Sequence, residues 1–73
     1  MNKDILEGNW KQMRGRVKEM WGRLTDDELD QIDGRLDRLV GIIQERYGYT
    51  RQEAEYSVND FLKQTEEKVQ QRF

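Results

Sequence analysis

Few residues in this chain have side chains suited to chemistry. It has no histidine and no cysteine, and Ser57 is its only serine. A hydroxyl nucleophile needs a neighbouring base to activate it, and no imidazole exists to serve. Carboxylate pairs such as Asp26/Asp30 and Glu53/Glu66 occur. Acid–base work would require a shared, desolvated site that raises one pKa, and the spacing alone does not create one. The chain reads as a non-enzyme. The acids Asp26, Glu28, Asp30 and Asp33 invite comparison with a calcium loop. That loop needs glycine at its sixth position and glutamate at its twelfth. Counted from Asp26, those positions hold Gln31 and Asp37. Helix capping accounts for the acids better, so neither a metal nor another cofactor is expected.

The cations are the other chemical resource. Lys11, Arg14, Arg16, Lys18 and Arg23 fall in the first 24 residues, whereas residues 25–33 carry five acids and no base. On a helical wheel Gly15 lies between Lys11 and Lys18, leaving bare backbone flanked by two ammonium groups. Something anionic could come close there. Gly41 is its counterpart later in the chain. Lys11, Arg14, Gly15, Lys18 and Gly41 therefore form the candidate contact face. A nucleic-acid-binding module using the basic side of this helix is the alternative reading. A pI near 5.1 and the lack of a long basic stripe count against it. Trp10, Met13 and Val17 opposite lysines also match a helix lying on a membrane surface, but the same pattern serves a core helix, the commoner case.

Composition sets the frame. Seventy-three residues suit one small domain, spanning residues 1–73. Charged residues make up 38% and the net charge is only −2, so self-repulsion does not forbid folding. No apolar run approaches the roughly 20 residues of a membrane span. Met1-Asn2-Lys3-Asp4 lacks the charged-then-apolar form of a signal peptide. A cytoplasmic monomer is the expectation.

The elements that must position these residues are helices. Trp10, Met13, Val17, Met20 and Trp21 follow steps of three and four and predict a first helix over 9–21, with Ile5 and Leu6 extending it N-terminally. Gly22 is expected to close it in the left-handed conformation. Thr25 with Glu28 three residues on is a capping box that opens a second helix. That helix ends near Asp33-Gly34, or else one helix runs from Asp26 to Tyr47. A third helix spans 35–47, closed by Gly48. Thr50 and Glu53 form a second capping box, and a fourth helix follows from Arg51 towards Arg72. Its apolar stripe includes Ala54, Val58, Leu62 and Val69, and its last turn, Gln70 to Phe73, is expected to fray.

The two halves echo each other. A shift of 26 places Gly8, Trp10, Met13, Gly15, Val17, Trp21 and Gly22 on Gly34, Leu36, Leu39, Gly41, Ile43, Tyr47 and Gly48. The Thr25 box then falls on the Thr50 box after one dropped residue. The fold class is all-α: four helices as two packed αα-hairpins, about 3–33 and 34–72, with an approximate internal duplication. In this scheme Gly8 and Gly34 mark helix starts, and Gly22 and Gly48 mark helix ends.

The stretch from Gly8-Asn9-Trp10 through Met13-Arg14-Gly15-Arg16-Val17 to Trp21-Gly22-Arg23-Leu24-Thr25-Asp26-Asp27 resembles the signature of the CsbD-like family of small bacterial proteins. Gly34, Leu39-Val40-Gly41 and Gln44-Glu45-Arg46-Tyr47-Gly48-Tyr49 fit it too. The resemblance covers residues from about 2 to 60. It implies a small all-helical protein of the bacterial general stress response, in a compact array of two helical hairpins. It supplies no catalytic residue and no cofactor. Residues and resemblance together suggest a non-enzymatic stress-response protein, acting through contact with a protein partner of unknown identity or as a protective protein.

Overall fold

The computed structural model describes the backbone of residues 3–70 and the side chains of residues 6–65. Five helices follow in order: α1 Lys3–Gly8, α2 Trp10–Met20, α3 Asp26–Ile32, α4 Leu36–Tyr47 and α5 Arg51–Gln70. No strand occurs among the described residues. The protein is all-helical as expected, with five helices where the sequence pattern predicts four.

The extra helix comes from a break at Asn9. Gly8 ends α1 instead of starting a helix, and Asn9 sits at φ −125. The Asn9 carbonyl accepts from the Gln12 and Met13 N–H groups at 3.0 and 2.8 Å, which starts α2. Glycine and asparagine both weaken a helix interior, so the break falls where propensity is lowest, and the Asn9 side chain makes no cap hydrogen bond. Leu6 on α1 is fully buried. The side chain of Ile5 lies outside the described residues, as do Glu66, Val69 and the expected fraying beyond Gln70.

Both capping boxes form. Thr25 Oγ1 accepts from the Glu28 N–H at 3.2 Å while Glu28 accepts from the Thr25 N–H at 2.9 Å. Thr50 and Glu53 do the same at 3.1 and 2.9 Å. These reciprocal bonds satisfy helix-start N–H groups that have no intrahelical partner. Asp26, Asp27 and Glu28 fill the first turn of α3, where the helix dipole favours negative charge.

The helix ends differ from expectation at one glycine. Gly48 closes α4 at φ 67, its N–H bonded to the Gln44 carbonyl. Gly22 does not close α2 in this way. Trp21 is the terminal residue, at φ −121, and its N–H reaches the Val17 carbonyl at 2.9 Å. The Leu24 N–H then bonds the Trp21 carbonyl at 3.1 Å. This extended exit needs no left-handed residue.

Two consecutive left-handed residues, Asp33 at φ 45 and Gly34 at φ 78, separate α3 from α4. A single helix from Asp26 to Tyr47 is therefore excluded. Gly34 is no helix start, since Arg35 caps α4. It is buried in a turn against the N-terminal part of the chain. A Cβ added there would lie 3.1 Å from the Trp10 Cβ and 3.3 Å from both the Glu7 Cα and the Leu6 carbonyl oxygen. Only glycine suits both the torsion and the space.

Every helix contributes to one core cluster: Leu6 from α1, Val17 from α2, Ile32 from α3, Ile43 from α4 and Val58 from α5 are each 0% exposed. Helix α4 packs along α5, α3 lies against α4, and α1 contacts both α2 and α4. Trp21 meets Phe61 edge-on, with ring centroids 5.1 Å apart. Tyr47 stacks on Tyr49 at 5.7 Å, and its hydroxyl accepts the Arg23 N–H at 3.2 Å. Trp21 and Tyr47 thus each reach the other half of the chain.

Candidate functional site

The structure divides the five candidate residues. Arg14 and Lys18 lie one turn apart on α2 and reach α3. The Arg14 guanidinium bonds the Asp30 carboxylate and also donates to the Asp26 carbonyl at 3.3 Å. Lys18 Nζ donates to Asp26 Oδ1 at 2.9 Å. Their carboxylate partners, Asp26 and Asp30, are likewise one turn apart. An i,i+4 pair of cations therefore faces an i,i+4 pair of acids, and two of the four cations of α2 are paired within the chain.

Lys11 and Gly15 remain exposed on α2, and Lys11 has no ion pair among the described residues. Nothing lies within 4 Å of a Cβ built at Gly15 or at Gly41. At both glycines the space beside the helix backbone is therefore open. Gly41 lines a shallow depression of about 480 Å³ with Gln31, Arg38, Ile42 and Glu45. That surface joins α4 to α3 and is separate from the α2 cations.

A second set of charges, unforeseen from sequence, ties α3 to α4. Arg46 Nε bonds Glu28 Oε2 at 2.5 Å, and Arg38 donates to the Gln31 carbonyl at 2.8 Å. Glu28 thus caps α3 and holds α4 at once. Its side chain is only 13% exposed, so an unpaired charge there would be costly. The Thr25 backbone N–H, and next the Arg46 guanidinium, hold the Glu28 carboxyl below its ordinary pKa. The Lys18 hydrogen bond and charge do the same for Asp26. Bonding to Asp30 and to Glu28 raises the Arg14 and Arg46 guanidiniums. The basic residues 1–24 followed by the acidic run 25–33 signalled only the α2–α3 pairs.

Ser57 is half-buried beside Tyr49, Gln52, Glu53 and Tyr56, in a depression of about 440 Å³. Its lining supplies no imidazole or amine to act as base. No group of three or more acids stands close enough to hold a metal ion among the described residues. No described helix is long and apolar enough to cross a membrane.

Comparison with known proteins identifies the relatives of this arrangement. The CsbD-like family model matches residues 4–56. The UPF0337 protein YjbJ of Escherichia coli K12 is 56% identical over 61 residues, covering 84% of this chain and 88% of that protein. A UPF0337 protein of Bordetella pertussis is 52% identical over 62 residues, 85% of this chain and 94% of its own. A UPF0337 protein of Pseudomonas aeruginosa is 52% identical over 61 residues, 84% and 94% respectively. On the family match and these identities, the chain belongs to the CsbD-like family.

Proposed function

We propose that this protein is a non-enzymatic member of the bacterial general stress response, acting in the cytoplasm through protein contacts or as a protective protein. One observation carries the contact reading. Gly15 and Gly41, at matching positions of the repeat, both expose helix backbone with open space around them. Glycine there weakens each helix by about 1 kcal/mol relative to alanine, and no packing inside the chain uses it. A partner approaching closely would. The contact surfaces are then two, Lys11 with Gly15 on α2 and Gly41 on α4.

The supporting framework is a single helical unit over residues 1–73, built by duplication of a helix–turn–capped-helix segment. The matching capping boxes at Thr25 and Thr50 favour this, and α1 is then an addition to the first half. The nucleic-acid reading has less support, since Arg14 and Lys18 are engaged by Asp30 and Asp26.

Pull-down from stressed cells, comparing the native chain with a Gly15→Glu/Gly41→Glu variant of unchanged circular dichroism, tests the proposal. Specific partners lost in the variant are the expected result. Equal capture by both chains would remove these contact surfaces. Turnover of a substrate, abolished by a point substitution, would overturn the non-enzymatic reading.

A further inference from the structure

We propose that α3 is an ionic latch, a short helix fastened by cations from the two helices beside it and released as ionic strength rises. The proposal stands apart from the functional reading above. Helix α3 has seven residues and buries only Leu29 and Ile32. An isolated helix of two turns does not hold its shape in water. Four cations hold this one. Arg14 and Lys18 come from α2, and Arg38 and Arg46 from α4. They reach Asp26, Glu28, Asp30 and the Gln31 carbonyl, so the first turn, the middle and the last turn are each tied.

These ties are open to solvent. The Arg14–Asp30 side chains are 33% and 66% exposed, and those of Lys18–Asp26 47% and 75%. Exposed pairs of this kind are weakened by salt. Glu28 is better covered, which makes the capping-box end the more persistent hinge. At the other end Asp33 is held at φ 45, a torsion that residues with side chains seldom adopt. Release of α3 relaxes it. The contrast lies in α4 and α5. They pack through Leu39, Ile43, Val58 and Leu62, and no ion pair links them among the described residues. Salt therefore acts selectively on α3, and its opening uncovers Leu29 and Ile32 while α4 and α5 stay packed.

Hydrogen exchange of individual amides tests this on the full chain, at about 0.02 M and about 0.5 M sodium chloride. The two exposed pairs weakened together correspond to about tenfold in the opening equilibrium. Amides of residues 29–33 should exchange about tenfold faster at high salt, with the protected amides of α4 and α5 unchanged. Sucrose at matched osmolality should have no such effect. In Asp26→Asn/Asp30→Asn, α3 should exchange fast already at low salt and lose most of its salt response. Arg14→Gln/Lys18→Gln removes the same ties from the α2 side and should behave alike, which keeps the test decisive if the first variant does not fold. A salt response shared equally by α3 and α5, or one undiminished in the folded variants, overturns the latch.

Discussion

Glu28 Oε2 and Arg46 Nε meet at 2.5 Å, and the other oxygen of the same carboxylate closes the cap of α3. One side chain therefore serves a local and a tertiary role. Its counterpart Glu53 caps α5 without an ion pair among the described residues.

Substitution separates the two roles. Glutamine at position 28 can still complete a capping box but carries no charge. Glu28→Ala should cost about 2 kcal/mol and Glu28→Gln about half of that, with Arg46→Gln close to the latter. Glu53→Ala should cost about 1 kcal/mol or less. Urea denaturation of the four variants, with a double-mutant cycle on Glu28 and Arg46, measures the coupling. No coupling between Glu28 and Arg46 would mean that the pair contributes nothing beyond the cap.

Acid should loosen the same region. The carboxyls of Glu28 and Asp26 lie below their ordinary pKa in the folded protein. The unfolded chain therefore binds protons first as pH falls. Their contribution is fully present above the unfolded carboxylate range and is lost as pH drops through the folded values. Urea midpoints should fall from about pH 5 to about pH 3. Asp26→Asn with Glu28→Gln should flatten that slope, and a slope unchanged in the double variant would assign the acid response to other groups.

The glycines should respond with opposite signs. Gly34→Ala forces a side chain into φ 78, against Trp10 and the backbone of Glu7 and Leu6. A loss of about 2 kcal/mol or more is expected. Gly15→Ala and Gly41→Ala meet only open space within a helix, so each should gain up to about 1 kcal/mol. Thermal melts of the three variants decide it. If Gly15→Ala destabilised the protein, the helix there would not be the open surface described.

The pairing of Arg14 and Lys18 with α3 yields a prediction about polyanions. Asp26→Asn/Asp30→Asn frees Arg14 and Lys18 and removes two repelling charges. That variant should bind duplex DNA at low salt more tightly than the native chain, with affinity falling steeply as salt is added. Adding Lys11→Glu and Lys18→Glu should reverse the gain. Equal affinities in an anisotropy titration would show that α3 does not mask these cations.

What was legible in the sequence was local. Both capping boxes and the Gly48 closure depend on residues within one turn of each other, and the structure has them where the spacing puts them. The helical stripes located Val17, Ile43 and Val58 in the core for the same reason. The helix count failed at Asn9, where the weak Gly8-Asn9 step splits a helix that the apolar pattern of Ile5 and Leu6 alone would continue. The closure at Gly22 failed because an extended exit through Trp21 satisfied the same backbone groups. For the candidate face, pattern could place Arg14 and Lys18 on one side of a helix. It could not show that Asp30 and Asp26 lie opposite, since that depends on the relative orientation of two helices.

The Gly34 turn also sets an order of events during synthesis. Leu6, Glu7 and Trp10 rest against a glycine that the ribosome adds only after α1, α2 and α3 are complete. At about 5–20 residues per second, α1 waits on the order of seconds for this seat to exist. Until then α1 can meet α2 but not α4, and its seat against the turn depends on one residue near the middle of the chain.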